Sequence, residues 1–188
     1  AVKSIADAMP SILILLLIGS LAGTWMLSGV VPTLIYYGLE LLHPTIFLFS
    51  AVVISALISL ATGSSWSTIA TIGVALLGVG TALGFSQALT AGAIISGAYF
   101  GDKMSPLSDT TNLAPAMAGT DIITHIKYMT YTTVPSIGIT LVIFLILGFT
   151  ITPTPTTVGA KEMLDAINST FFISPILFLV PIILIIII

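Results

Sequence analysis

The chain contains 188 residues, of which 57% are hydrophobic and only 6% are charged, and its formal net charge is −3. Charged residues make up roughly a quarter of a soluble protein, so this composition excludes a soluble domain and indicates a polytopic membrane protein. All four basic residues are lysines and there is no cysteine, which excludes a nucleic-acid-binding surface, a disulfide framework and a cysteine metal site.

The apolar runs are continuous and rich in Leu, Ile, Ala and Gly. They favour helices over the short alternating strands of a membrane barrel, so the predicted fold is an all-α helical bundle. Residues 12–27 are the first candidate span. Residues 30–44 are apolar but short, with prolines near both ends, which predicts a re-entrant or interfacial segment. The chain starts without Met and stops inside an apolar run, so we expect an internal piece of a longer protein.

The central region predicts one span over residues 45–62 and another over residues 69–84. Between them lies the hydroxyl-rich stretch "TGSSWST". A further helix is expected over residues 89–101, in which Gly97 and Gly101 have the four-residue spacing of small residues that lets helices approach closely.

After residue 112, "LAPAMAG" predicts one or two helical turns. Thr120 is then the predicted N-cap of an amphipathic helix at the membrane interface. Residues 130–150 form a strong span and residues 152–170 a polar loop with a short helix over residues 160–168. The last span opens at residue 171. Residues 1–188 together are predicted to be part of a single transmembrane transporter domain.

The charged stretch "GDKMSPLSDTTN" interrupts the apolar sequence at residues 101–112. Asp102 and Asp109 would share one face of a continuous helix, but Pro106 lacks an N–H and disfavours helical geometry at Ser105. We therefore predict unwound backbone at residues 104–107. Freed carbonyls, hydroxyls and a carboxylate suit a monovalent cation. The alternative is an ordinary extramembrane loop.

Lys103 either pairs with Asp102 or extends to the lipid headgroups.

The other interruption, "TGSSWST" at residues 62–68, places five hydroxyl side chains around Gly63. They serve either as oxygen ligands or as caps of their own backbone; these are Thr62, Ser64, Ser65, Ser67 and Thr68. Paired broken helices are typical of transporters with inverted repeats, so we predict part of such a bundle, with broken or re-entrant helices.

The remaining ionisable side chains indicate no catalytic site. His125, Glu40 and His43 are expected near a membrane surface, and Glu162 and Asp165 in solvent. The Gly-x-Ser-Gly motif of an intramembrane serine protease is not met. We therefore expect neither an enzyme nor a cofactor.

The segment "TAGAIISGAYFGDKMSPLSDTTNLAPAMAGTD", residues 90–121, closely resembles the signature region of NhaC-type sodium/proton antiporters. "IGSLAGTWMLSGVVPTLIYYGL" and "ATGSSWSTIATIGVALLGVG" resemble further blocks of that family, so the resemblance covers residues 5–147. It implies a multi-pass antiporter of a prokaryotic cytoplasmic membrane, related to the ion transporter superfamily. Sodium ions and protons would be the transported ions and the lipid bilayer the surrounding partner. A homodimer is left open.

The resemblance implies that the two breaks form one ion site. Asp109 is predicted to bind a sodium ion or a proton in turn, with Asp102 supporting it. Asn112 and Ser65 would complete the sodium site, and the other predicted ion ligands are Ser108, Thr110, Thr111, Ser64 and Thr68. The rival functions are a sodium- or proton-coupled dicarboxylate exchanger of the malate/lactate type and a non-transporting structural or sensory subunit.

Overall fold

The computed structural model describes residues 16, 20, 23–151, 160–180 and 183, and within this part of the chain all regular structure is helical. The helices, in chain order, are α1 (Val30–Leu41), α2 (Pro44–Thr62), α3 (Ser65–Ala82), α4 (Gln87–Met104), α5 (Asp109–Ala118), α6 (Ile122–Thr150) and α7 (Ala160–Thr170). Of these, α2, α3 and α6 are long and apolar enough to cross a membrane. The expected all-α membrane fold is confirmed.

Helices α2 and α4 pack with their backbones in contact. A Cβ atom added to Gly101 would collide with the carbonyl oxygen of Ala56, and one added to Gly97 would meet the α2 backbone in the same way. The Ser59 hydroxyl donates a hydrogen bond of 2.5 Å to the carbonyl of Ala98. These contacts advance along both helices in the same direction, so α2 and α4 run parallel and their carboxyl ends lie side by side. The predicted close approach at Gly97 and Gly101 is confirmed.

Helices α3 and α6 run antiparallel to this pair. A Cβ atom on Gly73 of α3 would lie 3.1 Å from the side chain of Ile94, and one on Gly80 would lie 2.5 Å from Thr90. The backbone of Gly148, near the end of α6, lies against the carbonyl of Thr45 at the start of α2. The amino-terminal parts of α3 and α6 therefore lie near the carboxyl ends of α2 and α4.

The interruption between α2 and α3 is shorter than the sequence predicts. Gly63 has a left-handed conformation with φ of 69°, Ser64 is extended, and helix resumes at Ser65. Within α3, Ile69–Gly73 form a π-helical turn between two α-helical segments. Helix α3 thus begins at Ser65, four residues before the start of the span predicted over residues 69–84, because Ser64 is an effective N-cap.

The separate interfacial helix expected before residue 130 is wrong, since α6 is continuous over Ile122–Thr150. Its N-cap is Asp121 rather than Thr120: the Asp121 carboxylate accepts a hydrogen bond of 2.9 Å from the Thr124 amide. The hydrogen bonds from Thr124 also lower the pKa of Asp121. Nothing stops the helix afterwards, and Pro135 is accommodated inside it, as prolines commonly are in membrane helices.

Helix α1 has 12 residues and is about 18 Å long at about 1.5 Å per residue. The hydrocarbon core of a membrane is about 30 Å thick, which is more than the length of α1. The length of α1 therefore agrees with the predicted re-entrant or interfacial segment. Of the first candidate span, residues 16, 20 and 23–27 are helical and the others lie outside the described residues. Residues 152–159 of the predicted polar loop also lie outside them. The rest of that loop is α7, and the predicted last span begins irregularly, with a 3₁₀ turn at Pro175–Phe178.

We predict that Gly101→Ala destabilises the protein whereas Gly138→Ala does not. The added methyl of Gly101→Ala would also lie 2.5 Å from the Leu60 amide nitrogen, while the one at Gly138 meets nothing within 4 Å. Overpacking of this kind costs about 1–3 kcal/mol. The measurement is the temperature at which purified full-length protein in detergent loses its monodisperse peak. Equal temperatures for the two variants would contradict the backbone contact.

Candidate ion-binding site

The two interruptions in the helices touch each other. A Cβ atom on Gly63 would lie 2.6 Å from the carbonyl carbon of Leu107 and 2.7 Å from its oxygen. The buried Ser105 hydroxyl donates a 2.7 Å hydrogen bond to the carbonyl of Leu60, in the last turn of α2. Stretches of sequence more than 40 positions apart are therefore held together by backbone contact, as the parallel packing of α2 and α4 requires.

Most hydroxyls of the first interruption bind their own backbone. The Ser64 side chain accepts from the Ser67 amide at 3.3 Å. The carbonyl of Ser64 accepts from the hydroxyls of Thr68 at 2.9 Å and Ser67 at 3.3 Å. The Thr62 hydroxyl lies 3.4 Å from that of Thr68. For these residues the capping interpretation describes the geometry.

Ser65 is the exception, because its hydroxyl crosses to the other interruption. Its Oγ donates to Oδ2 of Asp102 at 2.9 Å, and the Ser65 side chain is only 2% exposed. Ser65 is the first residue of α3, so the Asp102 carboxylate lies at the amino end of that helix. The dipole of α3 favours a negative charge there. This favourable effect offsets the dipole of α4, which disfavours an anion in the last turn of that helix.

The second interruption is confined to residues 105–108, so the unwinding predicted over residues 104–107 is observed one residue later, and Met104 still belongs to α4. Asp109 lies in the first turn of α5, with Ser108 as the N-cap. Asp109 is therefore helical and does not belong to the interruption, because Ser108 starts a helix at once. The Thr111 hydroxyl bonds to the carbonyls of Asp102 at 3.2 Å and Lys103 at 3.1 Å. It thereby satisfies carbonyls that the end of α4 leaves without helical partners.

Asn112 holds the non-helical turn against α5. Its Nδ2 donates to the carbonyls of Pro106 at 2.7 Å and Ser108 at 2.8 Å. The hydroxyls of Ser108 and Thr110 lie 3.0 Å apart. The Asp109 side chain is exposed, and among the described residues it has no hydrogen bond to the others. The structure therefore brings the Ser65 side chain into contact with Asp102. The Asn112 side chain instead binds the backbone of the turn before α5, and the Asp109 side chain is hydrogen-bonded to neither.

Lys103 does not form an ion pair with Asp102 or with any other described residue. It lines a cleft between α4 and α6, together with Tyr99, Thr133 and Ser136. Sequence reasoning missed this cleft. The signal was the recurrence of polar side chains at three- and four-residue intervals along both helices, which is hard to notice within long apolar runs.

No group of three or more histidine, aspartate or glutamate side chains suited to a metal ion occurs among the described residues. The site is made instead of one carboxylate, hydroxyls and main-chain carbonyls. A hydroxyl that donates to a carbonyl still offers its own lone pairs. Such a set of neutral oxygens around one negative charge matches the ligand preference of a hard monovalent cation.

Comparison with known proteins gives consistent results. The model of the Na+/H+ antiporter family matches residues 97–188. The chain is 48% identical over 175 residues to the Na+/H+ antiporter NhaC of Alkalihalophilus pseudofirmus, covering 93% of this chain and 38% of that protein. It is 49% identical over 148 residues to the malate-2H+/Na+-lactate antiporter of Bacillus subtilis, covering 79% and 32%.

A further relative is the arginine/ornithine antiporter ArcD of Halobacterium salinarum, which is 42% identical over 146 residues, or 78% of this chain and 30% of that protein. The chain thus spans about a third of the length of the curated relatives that it matches. No solved structure matches it.

We predict that Gly63→Ala is more destabilising than Gly119→Ala. Both glycines are left-handed, with φ of 69° and 70°, but only Gly63 faces the Leu107 backbone, and nothing lies within 4 Å of a Cβ atom at Gly119. Left-handed strain costs an alanine about 1–2 kcal/mol at either position. The contact at Gly63 should add about 1–3 kcal/mol of overpacking.

Thermal unfolding of the two purified full-length variants measures the difference. If both variants lose the same stability, the two interruptions are not pressed together as the structure has them.

Proposed function

We propose, because this chain belongs to the Na+/H+ antiporter family, that the protein exchanges sodium ions for protons across the cytoplasmic membrane of a prokaryotic cell. The observation that supports this most is the 2.9 Å hydrogen bond from Ser65 to Asp102. It joins the two helix interruptions through a carboxylate, inside a bundle that contains few charges of any kind.

Exchange follows from competition at such a carboxylate. A sodium ion needs oxygen ligands and a compensating negative charge, and a proton neutralises the same charge. A bare carboxylate is costly to keep away from water. The empty site is therefore the least favourable one to carry across the membrane, so that one cation moves in only as the other moves out.

We favour Asp102 over Asp109 as the carboxylate that exchanges the two ions. Asp102 is half-buried, accepts the Ser65 hydroxyl and lies at the amino end of α3. Asp109 is exposed at the start of α5, where the helix dipole also favours an anion. We propose that Asp109 attracts the cation and that Asp102 holds it. This order reverses the one expected from the sequence.

The remaining oxygen ligands stay part of the proposal. The hydroxyls of Ser64, Thr68 and Thr111 lie on the elements that meet at Asp102, and each keeps lone pairs after its backbone hydrogen bond. Ser108, Thr110 and Asn112 are more peripheral, because their hydrogen bonds shape the turn before α5. A homodimer remains a prediction.

A second function, coupled exchange of a small carboxylate, is favoured by one observation: Lys103 has no ionic partner among the described residues and lies in a polar cleft. One relative is named for malate and lactate exchange. The two functions share the sodium site and differ in whether an organic anion is required. A non-transporting subunit would show no proton release when sodium is added to vesicles.

We predict that Asp102→Asn abolishes sodium-dependent proton release and that Asp109→Asn only weakens it. Asn keeps the shape of Asp102 but can supply neither the charge nor the exchangeable proton. The measurement is dye-detected proton release on addition of sodium to purified full-length protein. Normal release from Asp102→Asn would overturn the assignment, and loss confined to Asp109→Asn would return the role to Asp109.

We also predict that Ser65→Ala weakens apparent sodium affinity roughly tenfold, because it removes one proposed oxygen ligand beside Asp102, and a loss of about 1.4 kcal/mol of binding free energy is tenfold in affinity. Ser67→Ala is the matched control, since the Ser67 hydroxyl bonds only to the nearby Ser64 carbonyl. Asn112→Ala should lower thermal stability before it changes affinity, because its amide braces the turn.

Sodium titration of proton release, together with a melting curve for each variant, distinguishes these effects. Equal sodium affinity in Ser65→Ala and Ser67→Ala would remove Ser65 from the site.

A further inference from the structure

A second polar site lies between α4 and α6. An open cleft of about 220 Å³ lies between the two helices; it is lined by the apolar side chains of Phe100 and Ile137 and by six polar residues, Ser96, Tyr99, Lys103, Thr133, Ser136 and Thr140. In each helix these side chains recur at three- or four-residue intervals, so each set forms one face. Because α6 is antiparallel to α4, Lys103 and Thr133 lie towards one end of the cleft, and Ser96 and Thr140 towards the other.

Lys103 places a full positive charge in this cleft. No described carboxylate lies within ion-pair distance of its ammonium group, although Asp102 is its neighbour in the chain. The side chain of Asp102 is instead hydrogen-bonded to Ser65 of α3. A lysine in an apolar membrane protein is costly unless water or an anion compensates its charge. Lys103 is exposed, so its charge faces the open cleft without an acidic partner among the described residues.

The hydroxyls of the cleft fall into two groups. Those of Ser96, Thr133 and Thr140 donate to carbonyls of their own helices, at 2.7, 2.7 and 2.9 Å. Tyr99 and Ser136 have no hydrogen-bond partner among the described residues, so their hydroxyl hydrogens are free to donate. Lys103, Tyr99 and Ser136 together offer donors without a matching acceptor.

We propose that this cleft binds a small carboxylate anion, with Lys103 as its charge partner and Tyr99 and Ser136 as hydrogen-bond donors. An ionised carboxylate only accepts hydrogen bonds, which suits this lining. Pockets for drug-sized ligands measure about 300–1,000 Å³, so a volume of about 220 Å³ suits an anion of a few carbon atoms. The proposal rests on the proposed antiport and gives the organic anion of the second function a binding site in this cleft.

The position of Lys103 predicts how the two sites influence each other. Lys103 directly follows Asp102, so its positive charge disfavours a cation at the Asp102 site. An anion bound to Lys103 offsets that charge and strengthens sodium binding. Coupling between two binding sites is reciprocal, so sodium must strengthen binding of the anion to the same extent.

The experiment measures binding of radiolabelled L-malate to purified full-length protein in nanodiscs of neutral lipid, with and without sodium. We expect saturable binding that sodium strengthens severalfold. Lys103→Gln should weaken it at least tenfold, Lys103→Arg should largely restore it, and Ser136→Ala should weaken it severalfold. Lys127→Gln is the matched control, because it removes the same charge from an α6 residue that does not line the cleft.

Two results would overturn the proposal: no malate binding by a wild-type protein that still releases protons on sodium addition, or unchanged binding by Lys103→Gln. Nanodiscs containing phosphatidylglycerol form a separate arm. If that lipid blocks malate binding in the wild type, Lys103 pairs with a lipid phosphate and the proposal also fails. Saturable malate binding without sodium-dependent proton release would support the anion site and overturn the proposed sodium/proton exchange instead.

Discussion

The contact between the backbones of α2 and α4 determines where every other part of the site lies. Gly97 and Gly101 have no side chain to separate the two helices, and the α2 backbone fills that space. Because the helices are parallel, both end at the same level. Two helices must then start again at that level, and the chain does so at Ser65 and Asp109. The polar chemistry of the molecule gathers at this junction because helix ends expose unpaired backbone groups.

The junction combines helix ends of opposite polarity. The carboxyl ends of α2 and α4 present carbonyl oxygens, whereas the amino ends of α3 and α5 present partial positive charge. A carboxylate placed between them is stabilised from one side, and a cation beside it is stabilised from the other. Asp102 occupies this position, with Ser65 supplying the direct contact. The Asp102 carboxylate is then the one charged group that the candidate ion-binding site needs between these helix ends. This agrees with the small number of charged residues in the sequence.

The sequence predicted the features that depend on local chemistry. Pro106 and Gly63 marked the interruptions, and the spacing of Gly97 and Gly101 marked the close helix contact. The sequence did not reveal which carboxylate meets the hydroxyl-rich interruption, because that depends on how α3 and α4 are rotated about their axes. The start of α5 differs from the sequence prediction because Ser108, a predicted ion ligand, is an N-cap; a serine before Asp and Thr is equally typical of a helix N-cap. For Lys103 the sequence offers Asp102 or the lipid headgroups as partners, whereas its surroundings in the structure include side chains of α6.

The π-helical turn at Ile69–Gly73 determines how the residues before it are rotated about the axis of α3 relative to the residues after it. In an uninterrupted α-helix, residues eight positions apart differ in direction by about 80°, so Ser65 and Gly73 would not both face α4. The wider turn takes up most of this difference, and Ser65 meets Asp102 while Gly73 lies against Ile94. Removing a single residue from this turn would leave every side chain of the site in the sequence and yet direct Ser65 away from the carboxylate. The spacing of this segment is thus as much a part of the site as its hydroxyl groups.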